Sequence, residues 1–306
     1  MNDSLSQPGM QVPLKAHQFK YVIVTPVRDE EKFLEETLRS IVKQTVQPTE
    51  WILVDDGSTD DTPNIINRYS NKYPWIRAVH RSNRGFRKSG GGVVEAFYDG
   101  FNQRTCQDWD FLVKWDGDLV ADANYFQKCF ERFLRDQHLG IGGGLLYNIQ
   151  NGTERVETCP KFHVRGATKI YRRSCWEQIG GLWPAPGWDT IDEVKAQMLG
   201  WTTETFSEIR LLHQRPTGTA ESEWSDGIKS GLARYVGGYH PVFMLVSCVS
   251  RIVLKPYVTG ALALWLGYLK GYAKRIPQVD DRALIEFVRQ QQLRRLVGRK
   301  TVWKYN

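Results

Sequence analysis

The sequence has few cysteines, and their pattern excludes several classes of protein. The five are odd in number and form no CxxC pair: Cys106, Cys129, Cys159, Cys175 and Cys248. This argues against a disulfide scaffold or a cysteine-rich zinc site, and for reduced thiols in a cytosolic setting. Residues 1–16 are polar and lack the apolar core of a signal peptide. No Walker motif is present, which disfavours an ATPase.

The positive charge of the chain is concentrated in its last third. Residues 219–306 contain 14 Lys and Arg against 6 Asp and Glu, whereas the whole chain has 41 against 34. A basic region of this kind can meet nucleic acid, phosphorylated ligands or an anionic membrane surface. Nucleic acid is disfavoured, because no recognised binding motif accompanies the charge.

Short β-branched runs alternate with amphipathic stretches in the first part of the chain. The expected strands are residues 19–27, 51–54, 76–80 and 111–115, and the expected helices are residues 30–44, 60–69 and 93–101. A helix at 125–136, strands at 141–148 and 162–171, a helix at 188–199 and a last strand pair at 202–212 follow. The pattern predicts an α/β fold with a mainly parallel sheet covered on both faces, and ligands at the carboxyl ends of its strands.

Two acidic motifs follow expected strands. Asp55-Asp56-Gly57-Ser58 follows the second strand, and Asp116-Gly117-Asp118 follows the fourth. An isolated Asp-Gly step is ordinary turn chemistry. Two acidic strand ends in one parallel sheet, however, favour a site where carboxylates bind Mg²⁺ or Mn²⁺ together with phosphate oxygens and water.

Several motifs in a fixed order give the chain a family resemblance. The segments TPVRDEE, LVDDGSTDDT, KWDGD, GWDTIDE and HQR, within residues 20–218, resemble the family 2 inverting glycosyltransferases of GT-A fold. The resemblance implies transfer of a sugar from a nucleoside-diphosphate-sugar donor to a hydroxyl group of a saccharide or lipid-linked acceptor, without a covalent intermediate. Such a reaction serves polysaccharide or lipid-linked saccharide synthesis.

The resemblance also assigns residues to a donor site. It places Pro26, Asp29 and Asp56 in the nucleoside pocket, with Asp56 facing the base, and Asp116 near the ribose and the metal. Asp118 is then the direct ligand of the divalent metal, and His213 completes the metal site as in some relatives. Two alternatives stay open, since Asp29 could be a first-turn helix acid and His213 an ordinary histidine.

Inversion requires a carboxylate that removes the proton of the acceptor hydroxyl. The resemblance places it about three helical turns before Gly200-Trp201, at Asp189, although the local acid pair is Asp192-Glu193. At this spacing Asp189 and Asp192 share a helix face. We therefore expect Asp189 to be the base, with Asp192 as the alternative or a helper. A helix N-cap is the structural alternative for Asp189.

A basic, glycine-rich loop follows the third expected strand. Arg84, Arg87 and Lys88 are predicted to contact the donor phosphates, and the backbone N–H groups of Gly90 to Gly92 form a natural anion site at a helix start. A solvated loop is the alternative.

The sequence predicts three regions: a polar tail at 1–18, a catalytic domain at 19–218 and a basic helical region at 219–306. In the last region, neither apolar stretch, 241–250 or 256–269, reaches the ~20 residues of a spanning helix. A basic amphipathic helix is expected at 281–300. Apolar stretches with cationic flanks favour peripheral contact with the inner face of the cytoplasmic membrane. Packing on the catalytic domain and a homo-oligomer interface are the alternatives.

Two other functional classes compete with a glycosyltransferase. A sugar nucleotidyltransferase also uses carboxylate-bound metal on an α/β sheet, but residues 25–28 lack the glycine-rich, basic signature expected at its first strand. A non-catalytic nucleotide-sugar-binding module would not need Asp118 together with Asp189 and Asp192.

Overall fold

The computed structural model describes residues 19–85, 91–215, 223–253, 255 and 257–303. Within them, the strands are β1 (Tyr21–Val27), β2 (Glu50–Asp55), β3 (Ile76–His80), β4 (Phe111–Trp115), β5 (Leu119–Ala121), β6 (Leu139–Gln150), β7 (Thr153–Val156), β8 (Thr168–Arg172) and β9 (Thr202–His213). The helices are α1 (Leu34–Val42), α2 (Thr62–Lys72), α3 (Gly91–Asn102), α4 (Tyr125–Arg135), α5 (Arg173–Ile179), α6 (Trp188–Met198), α7 (Glu223–Val236), α8 (Pro241–Arg251), α9 (Tyr257–Ala273) and α10 (Arg282–Leu296). The predicted tail at 1–18, the predicted phosphate contacts Arg87 and Lys88, and the domain boundary at 218 lie outside the described residues.

The strands form one sheet in the order β3-β2-β1-β4-β8-β6-β9-β5, with β7 paired to β6. The first four strands of this order are mutually parallel, so β1, β2 and β4 end at the same edge. The acidic motifs after β2 and β4 therefore lie at one edge, as the sequence predicts. The expected α/β fold class is confirmed.

The second half of the sheet departs from the expected pattern. Here β8 pairs antiparallel with β4 and β6, and β9 runs parallel to β6. The predicted strand pair at 202–212 is wrong, because β9 is one continuous strand with a register shift opposite Gly144-Leu145. A bulge of this kind interrupts the alternation of side chains, so one strand resembles two in the sequence.

Buried side chains alternate between the two faces of the sheet. In β1, Tyr21 and Ile23 pack with α1, α2 and α4, whereas Val22 and Val24 pack with α3, α5 and α6. Successive side chains of a strand point to opposite faces, so a strand covered on both sides is apolar throughout. Both layers are rich in aromatic rings, with Phe126 on one face and Phe97 on the other.

The C-terminal helices pack on α6. Ile191 and Val194 of α6 share a hydrophobic cluster with Tyr235, Met244 and Leu264 of α7, α8 and α9. Helices α7 and α9 approach closely through glycines, since a Cβ atom on Gly231 would lie only 2.0 Å from the carbonyl oxygen of Leu264. These helices therefore pack against α6, while their predicted membrane contact and self-association stay predictions. In the described part of the chain, no helix is both long and apolar enough to cross a bilayer.

Candidate active site

The end of β9 brings His213 beside Asp118. Strand β5 begins directly after Asp118 and runs antiparallel to β9, so that Leu119 lies opposite His213. The backbone N–H of Gln214 donates to the carbonyl oxygen of Asp118 at 2.9 Å. As a result, the His213 Nε2 atom lies 3.4 Å from Asp118 Oδ2, and both side chains are buried. The two predicted metal ligands are thus neighbours, although they are 95 positions apart in the sequence.

Glu157 holds the other side of the His213 ring. Its Oε1 atom lies 2.7 Å from His213 Nδ1. Burial lowers the pKa of His213, but the hydrogen bonds with Asp118 and Glu157 outweigh this effect and raise the pKa to about 9. Burial raises the pKa of Asp118, yet the hydrogen bond and charge of His213 and the charge of Arg215 hold it below its ordinary value. Glu157 fixes the ring so that Nε2 faces Asp118, an arrangement common behind metal-binding histidines.

Glu30 and Arg215 extend this cluster. Arg215 Nη2 donates to Glu30 Oε1 at 2.6 Å and to Asp118 Oδ2 at 3.0 Å. Burial raises the pKa of Glu30 to about 7 against the opposing effect of Arg215. The Glu30 Oε2 atom is buried and has no hydrogen-bond partner in the part of the chain that the structure describes. Neither residue was predicted from the sequence to take part in the metal site, although both belong to motifs on which the family resemblance rests.

Asp116 is linked to helix α6 through buried lysines. Its carboxylate pairs with Lys114, and its backbone N–H donates to Ala167 at 2.9 Å. The ammonium groups of Lys114 and Lys169 lie 5.5 and 5.7 Å from the centre of the Trp188 ring. Adjacent pairing of β4 and β8 places these two lysines opposite each other. Trp188, which begins α6, therefore lies against the strands that carry Asp116.

The predicted nucleoside residues lie at the ends of β1 and β2. Pro26 is buried in β1 beyond Val24, where the pairing with β4 ends, so its missing N–H costs no hydrogen bond there. Asp29 has a φ of 55° and precedes α1, and its Oδ1 accepts from the backbone N–H of Thr59 at 2.8 Å. It is therefore not a first-turn helix acid; it joins the loops after β1 and β2.

Asp56 lies between two arginines. Arg81 donates to its Oδ1 atom, and Arg84 donates to its Oδ2 atom at 2.6 Å. Arg84 also donates to Glu95 at 2.9 Å. The loop that carries Arg81 and Arg84 comes this close to Asp56 because residue 57 is glycine. A Cβ atom on Gly57 would lie 2.5 Å from Asn83 Cα in that loop. Arg84 thus lies at the carboxylate predicted to face the base and is already paired with two acids, whereas its predicted role was a phosphate contact.

The two candidate bases have different environments. Asp192 is 2% exposed, and its oxygens accept from Lys169 Nζ at 2.8 and 2.9 Å and from the Tyr171 hydroxyl at 2.5 Å. Asp189 is only partly buried, in the first turn of α6, and it lines a cavity of about 590 Å³. The N-cap of this helix is Gly187, so the alternative of an N-cap role for Asp189 is wrong.

The edge of the sheet where Asp118 and His213 lie offers few protein ligands for a metal ion. In the portion of the chain that the structure describes, no cluster of three or more His, Cys, Asp or Glu side chains is arranged to hold a metal ion. Asp118 and His213 nevertheless present a carboxylate oxygen and an imidazole nitrogen to each other. Such a pair fits a divalent ion that also binds phosphate oxygens and water.

Comparison with known proteins shows which family the chain resembles. The family model described as glycosyl transferase family 2 matches residues 22–184, more than half of the chain. Glycosyltransferase GlyG of Streptococcus pneumoniae serotype 4 is 40% identical over 131 residues, which cover 42% of this chain and 40% of GlyG. A cholesterol galactosyltransferase of Borreliella burgdorferi is 26% identical over 121 residues, 39% of this chain and 31% of that protein. The chain therefore spans well under half the length of these curated relatives.

Solved structures share the fold. A mannosyltransferase from Pyrobaculum calidifontis, in complex with GDP-Man and Mn²⁺, has a TM-score of 0.57 and 16% identity, covering 88% of this chain and 92% of that one. Staphylococcus aureus TarS 1–349 in complex with UDP-GlcNAc has a TM-score of 0.53 and 17% identity, covering 90% and 81%. With the family match over residues 22–184 and this GT-A architecture, the chain belongs to glycosyltransferase family 2.

Proposed function

We propose that the protein is an inverting glycosyltransferase that moves a sugar from a nucleoside-diphosphate-sugar to a hydroxyl group of an acceptor. The main support for this proposal is that Asp118 and His213 lie close together at the same edge of the sheet as Asp56. A donor whose base lies at Asp56 and whose diphosphate lies at Asp116 and Asp118 would follow the carboxyl ends of β2, β1 and β4, where ligands of such sheets bind.

Asp118 and His213 would hold a divalent metal, Mg²⁺ or Mn²⁺. When bound, that ion would neutralise the diphosphate leaving group. Glu157 would keep the His213 Nε2 atom directed at the site, and Arg215 would hold the carboxylates of Glu30 and Asp118 together. Because metal ligation requires a neutral imidazole, ion binding would displace the proton that Asp118 and Glu157 favour on His213.

Asp189 would be the general base. In this reaction the acceptor oxygen forms a bond to the anomeric carbon, the hydroxyl proton moves to the Asp189 carboxylate, and the bond to the diphosphate breaks with its electron pair. Asp189 is the more accessible of the two candidates, and the chain segment before β8 places it near Asp116. In that segment, Gly166 packs against Asp189 while Ala167 accepts the N–H of Asp116.

Asp192 would instead be a positioning residue. Lys169 donates to both Asp192 oxygens and to the backbone carbonyl of Asp189. The ammonium group therefore ties the first turn of α6 to β8 and fixes the place from which Asp189 acts. The acceptor would be a saccharide, free or lipid-linked, in polysaccharide or lipid-linked saccharide synthesis.

A panel of nucleotide sugars tests the proposal. The full chain is incubated with each donor and a mixture of saccharide acceptors, with Mn²⁺ or with EDTA, and release of nucleoside diphosphate is measured. We expect release with one class of donor, at least tenfold more with Mn²⁺, and NMR of the product should show an inverted anomeric centre.

Two outcomes would contradict the proposal in different ways. In a parallel incubation with nucleoside triphosphate and sugar 1-phosphate, formation of a nucleotide sugar with release of pyrophosphate would identify a nucleotidyltransferase. Binding of a donor in a thermal-shift assay, without turnover in any acceptor mixture, would favour a non-catalytic binding module.

A further inference from the structure

A basic groove lies between α6 and the C-terminal helices, next to the Asp189 cavity. Its volume is about 620 Å³, within the range of small-ligand pockets. Within the described ranges, three guanidinium groups line it, from α7, α8 and α10: Arg234, Arg251 and Arg295. Thr190, Val194, Arg234 and Tyr239 line both this groove and the Asp189 cavity, so the two spaces adjoin.

Buried donors in the groove lack partners. The Arg234 Nη1 and Gln292 Nε2 atoms are buried and make no hydrogen bond with any described residue, and Gln292 is completely buried. Burial lowers the pKa of Arg234, and the charge of Arg251 lowers it further. An unsatisfied buried donor is costly, and a like charge nearby adds to the cost. An anion in the groove would relieve both.

The acids near the groove are already neutralised. Glu193 lines it, but its Oε1 lies 2.9 Å from Lys169 Nζ and its Oε2 lies 2.8 Å from His163 Nδ1. Among the described residues, Arg234 and Arg251 therefore give the groove positive charge. Gln197 adds one buried acceptor, Oε1, which has no partner in the described ranges and suits a sugar hydroxyl beside the anion.

Helix α8 lines the groove with one side and exposes an apolar face on its other side. Phe243 and Val246 line the groove. On the outer side Val242, Leu245 and Val249 are each more than half exposed, and their spacing places them on one helix face. A ligand that fits both features has an anionic head and an apolar body.

We propose that this groove binds the phosphate or diphosphate group of a lipid-linked acceptor, whose sugar then reaches Asp189 and whose lipid lies along α8. This inference rests on the proposed function and names its acceptor class. Guanidinium groups are well suited to phosphate, because their planar donors can bind it in pairs. The basic composition of the C-terminal region would add attraction to an anionic membrane surface.

The test uses two adjacent arginines of α10. Both side chains are exposed, but of the two only Arg295 lines the groove, so Arg295→Gln and Arg294→Gln remove the same charge at different places. Co-sedimentation of the full chain is measured with phosphatidylcholine vesicles that contain about 20 mol% phosphatidic acid, enough phosphatidylserine to give the same surface charge, or neither. Phosphatidic acid is the probe because its phosphate, like the diphosphate of a lipid-linked saccharide, can carry two negative charges.

We expect wild-type protein and Arg294→Gln to prefer phosphatidic acid vesicles, and Arg295→Gln to bind them about tenfold more weakly. Equal effects of the two substitutions would overturn the proposal, because charge alone would then explain binding. Equal binding to phosphatidylserine and phosphatidic acid would also overturn it. Binding of inorganic pyrophosphate that depends on Arg295, without any vesicle binding, would show a soluble phosphate ligand and would overturn the lipid assignment.

A donor assay separates this inference from the proposed function. Nucleotide-sugar binding, followed by thermal shift, should be unchanged in Arg295→Gln, because that residue lies on α10 and not at the strand ends. If the wild-type protein binds vesicles but binds no nucleotide sugar, the glycosyltransferase proposal is contradicted and the groove assignment stands.

Discussion

The ammonium group of Lys169 lies 2.8 and 2.9 Å from the two carboxylate oxygens of Asp192, and both side chains are completely buried. Lys169 also lies 2.9 Å from Glu193 Oε1. One buried cation thus serves two carboxylates, and the Tyr171 hydroxyl supplies a further donor to Asp192. The network is arranged to hold helix α6 against strand β8.

Removing the cation should therefore destabilise the fold. Lys169→Met would leave Asp192 and Glu193 buried without their shared partner, and we expect a loss of about 3–5 kcal/mol in the free energy of unfolding. Urea unfolding followed by circular dichroism measures it. Arg173→Met is the matched control, because Arg173 pairs with Glu177 at the surface, where such pairs contribute about 0–1 kcal/mol. Equal losses in the two variants would contradict the assignment.

Asp189 and Asp192 should respond differently to the same substitution. We expect Asp189→Asn to lower kcat by at least about 100-fold, because the amide cannot accept the acceptor proton, while donor affinity and stability stay near wild type. Asp192→Asn should lower stability more than Asp189→Asn does. Steady-state kinetics and urea unfolding of both variants give the comparison. Near wild-type turnover of Asp189→Asn would exclude it as the base.

Sequence patterns located these carboxylates but not their partners. The bounds of β3 and β4 agree with prediction, because their hydrophobic runs end at charged or polar residues. Lys169 gave no signal, since its partners lie 20 or more positions away on another element. The proximity of Asp118 and His213 depends on the pairing of β5 with β9, and local periodicity does not encode the pairing of distant strands. The short strands β5 and β7 were missed for a related reason, because a few residues contain too little periodicity.

Asp118 and His213 should act together in metal use. Asp118→Asn removes a charged ligand, and we expect about 100-fold less nucleoside diphosphate release at a fixed Mn²⁺ concentration, with part of the activity restored at higher Mn²⁺. His213→Gln should weaken Mn²⁺ activation in the same direction. Isothermal titration with Mn²⁺ in the presence of nucleoside diphosphate measures the affinity directly. Asp122→Asn, after β5, is the matched control; an equal loss in that variant would contradict a specific role for Asp118.

The contact between α7 and α9 should depend on glycine. Gly231→Ala would place a methyl group against the carbonyl oxygen of Leu264, and Gly267 faces Ile228 in the same way, at 2.1 Å. The helices must then separate, and we expect a loss of about 1–3 kcal/mol. Ser230→Ala, at an exposed position of the same helix, should change stability little. Urea midpoints compare the two variants, and an unchanged midpoint for Gly231→Ala would contradict the close packing.

The pair between His163 and Glu193 should make stability depend on pH. His163 Nδ1 lies 2.8 Å from Glu193 Oε2. Burial lowers the pKa of His163, but the charge and hydrogen bond of Glu193 outweigh burial and raise the pKa above its ordinary value. A histidine whose pKa is higher in the folded state stabilises the fold fully below its unfolded pKa of about 6.5, and this contribution disappears as pH rises through the folded pKa.

The difference in unfolding free energy between wild type and His163→Gln should therefore be larger at about pH 6 than at about pH 9. The exposed His138, substituted in the same way, should show no such dependence. If the His163→Gln difference instead grew with pH, the imidazole would be neutral in the folded protein, and the pair would be a hydrogen bond without charge.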